Sequence, residues 1–367
     1  MSIRGFATAE GTAGYRKRLG VWAGKGSRKA WQGLTLSCVG IGTYLGEADE
    51  PTDRAYEAAV RRALELGVNV VDSAVNYRHQ RSERAIGAAL RALVSDGALA
   101  RDEVLLATKG GFIPFDGAVP ANPAAYFTET YRRPGVVTPA DVVGGSHCMT
   151  PRYLADQLER SRANLGVETI DVYYVHNPET QLGVVERPEF TVRLRAAFEF
   201  LESAVDDGKI RGYGLATWEG FRRPATARDH LSLADVVGLA REVGGERHHF
   251  VAIQLPYNLA MTEALTLTNQ PMGKAMVSVL QAAERLGVYV MTSASILQGQ
   301  LARNLPTALG QVLEGLSTDA QRALQFVRST PGVGTALCGM RSVAHVEENA
   351  RLLSVPPAPS EKLFARA

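Results

Sequence analysis

Asp72, Tyr77, Lys109 and His176 are the side chains of this sequence best suited to chemistry, and each lies at or just after the end of a short apolar run. Val70-Val71-Asp72-Ser73-Ala74-Val75-Asn76-Tyr77 sets a carboxylate and a phenol five positions apart. Val104-Leu105-Leu106-Ala107-Thr108-Lys109 ends in an amine, and Ile170-Asp171-Val172-Tyr173-Tyr174-Val175-His176 ends in an imidazole. Together these groups suit delivery of a proton to a carbonyl oxygen that receives a hydride. A phenol, ordinarily near pKa ~10, is a poor acid at neutral pH unless its anion is stabilised. An ammonium within about 4–6 Å favours that anion, and a carboxylate fixes the ammonium. The expected roles are Tyr77 as general acid, Lys109 as the group that lowers its pKa, Asp72 as the partner of Lys109, and His176 as the hydrogen-bonding group that orients the carbonyl. Taken singly, a strand-end Asp is a turn residue, a Tyr is packing and a His is a satisfied core residue. A Lys at the end of an apolar strand is harder to dismiss, because buried charges are seldom left unpaired.

Groups so far apart in sequence meet if the fold gathers strand ends, as a parallel α/β barrel does at its C-terminal face. Strand-like runs cover 36–42, 69–72, 103–108, 171–175, 210–216, 251–255, 288–292 and 334–338. Helix-like runs alternate with them over 53–66, 82–94, 151–165, 193–207, 233–243, 274–286, 318–329 and 343–352. Apolar strands with little alternation are what a sheet covered on both faces requires. Eight strand–helix units predict an α/β protein, a single (β/α)8 TIM barrel, in preference to an open doubly wound sheet. No strand leads into a glycine fingerprint that opens a helix; the Gly40-x-Gly42 pair lacks a third glycine.

The barrel is expected over 31–356, with an N-terminal extension over 1–30, read as irregular, and a C-terminal tail over 357–367. The interval 110–150 breaks the rhythm. It holds Pro114, Pro120, Pro123, Pro134 and Pro139 together with Phe112, Phe115, Tyr126, Phe127 and Tyr131. Prolines argue against continuous regular structure and aromatics against disorder. The expectation is a long insertion after the third strand, at the active-site face, acting as a folded lid or a partner surface. Tyr44, Phe112, Phe115 and Trp218 are the expected walls of a substrate pocket. His147-Cys148 precedes Thr150-Pro151, a helix cap followed by a first-turn proline, so helix-entry packing is expected there. His248-His249 is expected to face solvent. No Cys, His and carboxylate set has zinc-site spacing.

The three words that carry the tetrad occur, in this order, in the aldo-keto reductases, which this sequence resembles from about Leu36 to about Leu353. Ser82-Glu83-Arg84-Ala85-Ile86-Gly87 is similar to that family's Ser-Glu-x-x-Leu-Gly, and Gly339-Met340-Arg341-Ser342 with Glu348-Asn349 is similar to its cofactor segment. The resemblance implies the tetrad roles given above and NADP(H) as cofactor. The implied cofactor contacts are Gly42, Thr43, Asp72, Thr217, Gln254, Ser293, Gly339, Arg341, His345, Glu348 and Asn349. Phosphate would meet the helix entered after the last strand, and Arg341 would add a bidentate contact. Two departures stand out. The usual Gly-x-Ser-Asn is Gly214-Leu215-Ala216-Thr217 here, and Thr292-Ser293-Ala294 stands where an aromatic ring usually stacks on the nicotinamide.

The implied activity is an NADP-dependent oxidoreduction between nicotinamide and a small or medium organic carbonyl or alcohol. The two departures leave alternatives: an NADPH-binding regulatory or interaction protein of low turnover, or non-redox chemistry such as dehydration in the same pocket. Composition bounds the rest. The 367 residues are 46% hydrophobic and 21% charged, ordinary for a globular enzyme. A net charge of +2 points to no nucleic-acid partner. Cys38, Cys148 and Cys338 suggest no disulfide framework and a reducing compartment. No run approaches the roughly 20 apolar residues of a membrane span, and no secretory signal is expected, so the expected location is cytoplasmic. Oligomeric state is not legible.

Overall fold

The computed structural model describes residues 2–19 and 26–364; parts of the N-terminal extension and of the C-terminal tail therefore lie outside the described residues. Eight parallel strands close on themselves in sequence order: β1 (Val39–Gly42), β2 (Val70–Asp72), β3 (Leu105–Gly110), β4 (Ile170–His176), β5 (Ile210–Ala216), β6 (Phe250–Pro256), β7 (Tyr289–Ser293) and β8 (Thr335–Gly339). Closure is made by β8 against β1, with Cys338 opposite Ile41 and Gly339 opposite Gly42. The crossover helices are α1 (Glu50–Glu65), α2 (Arg81–Ser95), α3 (Pro151–Leu165), α4 (Arg187–Asp206), α5 (Leu233–Gly244), α6 (Val279–Leu286), α7 (Asp319–Ser329) and α8 (Val343–Ala350). The strands carry two apolar faces, as a covered sheet requires. One face packs on the helices, with Ile41, Leu106, Tyr173, Leu215, Ile253 and Val290 in a common cluster. The other fills the barrel with Val70, Leu105, Ala107, Val172, Tyr174, Ala252, Met291 and Leu337. Large and small residues alternate inside: a Cβ on Gly214 would lie 3.0 Å from the Tyr174 ring.

The floor of the barrel corrects the expectation of an irregular N-terminus. A helix spans Ala9–Arg18, capped by Thr8, and an antiparallel hairpin pairs Ser27–Lys29 with Thr35–Ser37. The hairpin lays Leu34, Leu36 and Trp31 against the interior cluster, with Trp31 edge-on to Tyr289 at 5.7 Å. The 36–42 strand is therefore two strands, one in the plug and one in the barrel. Two helix boundaries also move. The helix expected over 274–286 begins only at Val279, where Ser278 and Gln281 form a reciprocal cap. The preceding residues pair as a hairpin, Gln270–Met272 with Ala275–Val277. The helix expected from 193 begins at Arg187 with Pro188 in its first turn, a position where proline costs no hydrogen bond.

The 110–150 interval is folded. A helix Pro123–Phe127 runs on into a wider turn at Thr128–Arg132, and a short 3-10 turn covers Pro139–Asp141. Tyr131, Val137 and Cys148 bury against Tyr153 of α3 in a small separate core, and the Tyr131 hydroxyl donates to the Pro114 carbonyl at 2.9 Å. Two motif residues prove architectural. The Ser82 hydroxyl donates to the Thr43 carbonyl at 2.7 Å, and the buried Glu83 accepts from Thr108 and Asn164. His248 and His249 are half-buried, not solvent-facing, because Glu202 accepts from the His249 main chain and meets its ring.

The plug carries a testable consequence. Leu36 is fully buried at the barrel floor, so Leu36→Ala should cost about 2–5 kcal/mol. Urea unfolding followed by circular dichroism should show a clear fall in midpoint. An unchanged midpoint would mean that the hairpin contributes nothing to barrel stability.

Candidate active site

Inward positions along a strand recur every second residue, so the polar residues above the apolar interior are set by register. Above Val70 comes Asp72, above Ala107 comes Lys109, and above Tyr174 comes His176. Gln254 follows Ala252 and Ser293 follows Met291. Pairing sets Gly42 opposite Asp72, and His176 opposite Ala216, which lies opposite Gln254, while Lys109 stands one inward step beyond Ala107, the partner of Asp72. The barrel's top layer is therefore a polar ring resting on an apolar interior.

Lys109 is fully buried. Its Nζ donates to Asp72 Oδ2 at 2.6 Å and to the Ser73 carbonyl at 2.6 Å. Gln254 Nε2, from the far side of the barrel, donates to Asp72 Oδ1 at 2.8 Å. Burial pushes the Asp72 carboxyl up and the Lys109 ammonium down, while each group opposes the shift of the other. Tyr77 comes from the loop after β2. Its amide closes a turn on the Ala74 carbonyl, and Arg78, His79 and Gln80 come next in left-handed conformation with φ of 48°, 55° and 73°. Such residues need outside support. Arg78 supplies it through hydrogen bonds to the Glu47 and Asp49 carbonyls and an ion pair with Asp53 at 2.6 Å.

The turn brings the Tyr77 ring centre 5.0 Å from Lys109 Nζ and 5.9 Å from the His176 ring. Burial first, and the Asp72 carboxylate second, hold the phenol well above its ordinary range. The expected lowering by Lys109 is thus not what sets the phenol: burial holds it protonated at neutral pH. Burial and the neighbouring Lys109 push His176 well below its ordinary value, so its ring is neutral.

The tetrad opens into a cleft of about 840 Å³. Asp72, Tyr77 and His176 line it, with the buried Lys109 behind them on Asp72. Gly42, Thr43, Thr217, Gln254, Ser293, Gly339, Arg341, His345, Glu348 and Asn349 also reach its walls, as do Tyr44, Phe112 and Trp218. Phe115 does not: it packs between His79 and Tyr126 inside the insertion. Four buried polar atoms on the walls have no partner among the described residues: Asn76 Oδ1, His176 Nδ1, Thr217 Oγ1 and Asn349 Oδ1. Buried polar groups are normally paired, so a polar molecule fits this cleft. At its far end Ser342 caps α8 by accepting from the His345 amide, beside the exposed Arg341.

Asn177 and Glu179 went unread in the sequence, and His147 departs from the helix-entry packing expected of it, because its ring meets the His176 carbonyl. Asn177, left-handed at φ 46°, lines the cleft beside His176. Glu179 is buried and accepts from the amides of Trp218, Glu219 and Gly220, fixing the loop that presents Trp218. His147 is fully buried against the back of His176. Glu179 and His147 act through main-chain contacts that leave no periodic signal, although the His176-Asn177 pair at a strand end was a clue.

The sequence model of the aldo/keto reductase family matches residues 38–305. The chain belongs to the aldo/keto reductase family. It is 27% identical over 195 residues to aldo-keto reductase family 1 member C2 of Homo sapiens, a stretch covering 51% of this chain and 48% of that protein. The match thus spans about half the length of such curated relatives. An uncharacterized oxidoreductase of Bacillus subtilis (strain 168) is 22% identical over 334 residues, covering 90% of each chain. The fold is similar to the aldo/keto reductase from Klebsiella pneumoniae in complex with NADP and acetate, with a TM-score of 0.62 and 20% identity over 93% of this chain and 94% of that one. It is also similar to a glycerol dehydrogenase from Gluconobacter oxydans, with a TM-score of 0.63 and 18% identity over 93% of each chain. Among the described residues no helix is long and apolar enough to cross a membrane.

The buried imidazoles should make the fold acid-sensitive. Burial pushes His147 down to about 4, below the roughly 6.5 of an unfolded histidine. Between these values the unfolded chain binds a proton that the folded chain does not, so stability is full above the unfolded value and falls as the pH drops. Urea midpoints should therefore decline from about pH 7 to about pH 4.5, and more steeply in the wild type than in His147→Gln. Equal slopes would show that His147 is not held neutral.

Proposed function

We propose that the protein is an NADP-dependent carbonyl reductase, running as an alcohol dehydrogenase in reverse, with Tyr77 as general acid. The observation that carries this reading is the buried Asp72–Lys109 pair beneath the Tyr77 ring, beside a neutral His176, in one cleft with unpaired polar walls. When bound, the reduced nicotinamide supplies the hydride that a carbonyl carbon accepts. Everything else is done by this chain. The neutral His176 ring hydrogen-bonds the carbonyl oxygen and aims it at Tyr77. The phenol, protonated at neutral pH, gives its proton to the oxygen as negative charge develops there. The adjacent Lys109 ammonium then stabilises the phenolate, and Asp72 keeps that ammonium in place. Positioned proton transfer of this kind contributes about 10²–10⁴-fold.

Thr217, Gln254 and Asn349 are suited to hold the polar groups of the cofactor, and Arg341 with the α8 amides to hold its adenosine phosphate. The NADP complex of the Klebsiella relative supports this choice of cofactor. Tyr44, Phe112 and Trp218 supply aromatic wall for the organic part of the substrate.

Tyr77→Phe should abolish most reduction of a panel of aldehydes and ketones, followed by NADPH absorbance, with NADPH affinity nearly unchanged. A near wild-type kcat would remove Tyr77 as the acid. Arg341→Ala should weaken NADPH far more than NADH in a fluorescence titration. Loss of a charge-assisted hydrogen bond, about 1.5–3 kcal/mol, corresponds to roughly tenfold or more in Kd. Equal weakening of both nucleotides would mean that Arg341 does not read the 2′-phosphate.

A further inference from the structure

We infer that His147, carried by the 110–150 insertion, is a positioning residue for His176, holding its main-chain carbonyl at the end of a hydrogen-bond chain that starts at Arg193. This inference rests on the reductase reading above. Arg193 Nη1 lies 2.7 Å from Gln181 Oε1, Gln181 Nε2 lies 2.8 Å from His147 Nδ1, and His147 Nε2 lies 2.7 Å from the His176 carbonyl oxygen. A guanidinium only donates, so Gln181 Oε1 must accept and the Gln181 amide nitrogen must face His147. That nitrogen also only donates, so His147 Nδ1 accepts and its proton sits on Nε2. The Nε2–H then donates to the carbonyl. The guanidinium at one end only donates and the carbonyl at the other only accepts, so both ends require the same direction for every bond and the same tautomer of the buried ring.

The held carbonyl matters because its peptide unit joins the catalytic imidazole to Asn177. That peptide unit is gripped at its other end too, where the Asn177 amide donates to the Ala216 carbonyl at 2.6 Å. With both ends fixed, Asn177 is kept left-handed, and His176 and Asn177 both reach the cleft. Phe112 wedges between the two histidine rings, edge-on to His147 at 5.2 Å and to His176 at 5.1 Å. Gly111 leaves the room required: a Cβ there would stand 2.7 Å from the His176 oxygen and 3.0 Å from His147 Nε2. The Cys148 amide donates back to the Gly111 carbonyl at 2.9 Å, so the insertion departs and returns at this point. Its role is thus to brace the back of the catalytic imidazole, in addition to any cover it gives the mouth.

The test compares wild type with His147→Ala, His147→Gln and Gln181→Leu. A glutamine at 147 can donate to the carbonyl and accept from Gln181. Reduction of 4-nitrobenzaldehyde by NADPH should lose about tenfold or more in kcat in His147→Ala, as expected for a displaced orienting group. NADPH Kd should stay within about twofold, and His147→Gln should recover most of the loss. Nitrogen-15 histidine spectra of the wild type at neutral pH should show His147 as the Nε2–H tautomer. An Nδ1–H signature, a folded His147→Ala with wild-type kcat, or a loss that glutamine does not recover would overturn the inference. If His147→Ala does not fold, Gln181→Leu decides, since it keeps the ring and removes the donor that anchors its Nδ1; unchanged kcat and unchanged His147 shifts there would overturn it. If the wild type reduces no carbonyl, the reductase reading fails by itself. The brace is then judged by the His176 ring resonances, which must move in Gln181→Leu and hold in His147→Gln.

Discussion

The buried ion pair between Asp72 and Lys109 is the constraint around which the upper half of the barrel is arranged. Two charges lie out of water on top of an apolar interior, and removing one partner of such a pair typically costs about 3–5 kcal/mol. The pair needs adjacent strands in fixed register, and β2 and β3 supply them. It needs its remaining hydrogen-bonding capacity met, and the Ser73 carbonyl and Gln254 meet it from the loop and from the opposite wall. Tyr77 and His176 titrate as they do because they share this dry layer. Desolvation keeps one protonated and the other neutral, the combination a carbonyl oxygen requires of its two neighbours.

Around this layer the loops divide the work. The turn after β2 carries the phenol and is secured by Arg78. The loop after β4 carries Asn177 and the Glu179 carboxylate, which gathers three amides of the loop after β5. The insertion after β3 reaches back to the same place through His147. Each support includes a hydrogen bond between a side chain and main chain, a type of contact that fixes geometry and places few demands on the side chains it surrounds.

The barrel and the tetrad were legible because both rest on periodicity and on strand ends. Eight apolar runs between amphipathic segments leave few architectures, and a Lys closing a buried strand demands a partner. The plug at the floor was not legible: Trp31, Leu34 and Leu36 look like the start of the first strand until a reversal at Gly33 is allowed for. The helix starts at 187 and 279 depended on caps whose apolar period is weak. The direction of the Tyr77 shift was not legible either, because its sign depends on burial, which no spacing records. Phe115 and His147 depart from their expected places for the same reason: within a proline-rich insertion, sequence order does not say which side chain faces the barrel.

The alternation that builds the polar ring also says where this chain can change. Each site residue on a strand is inward by parity, so inserting or deleting one residue within a barrel strand would turn its functional group into the helix layer and an apolar residue into the cleft. The strands are therefore locked in length, whereas a loop starting above the ring can gain or lose residues without changing the parity of any inward position. Diversity in such a barrel accumulates in its loops because the strands have no neutral step available to them.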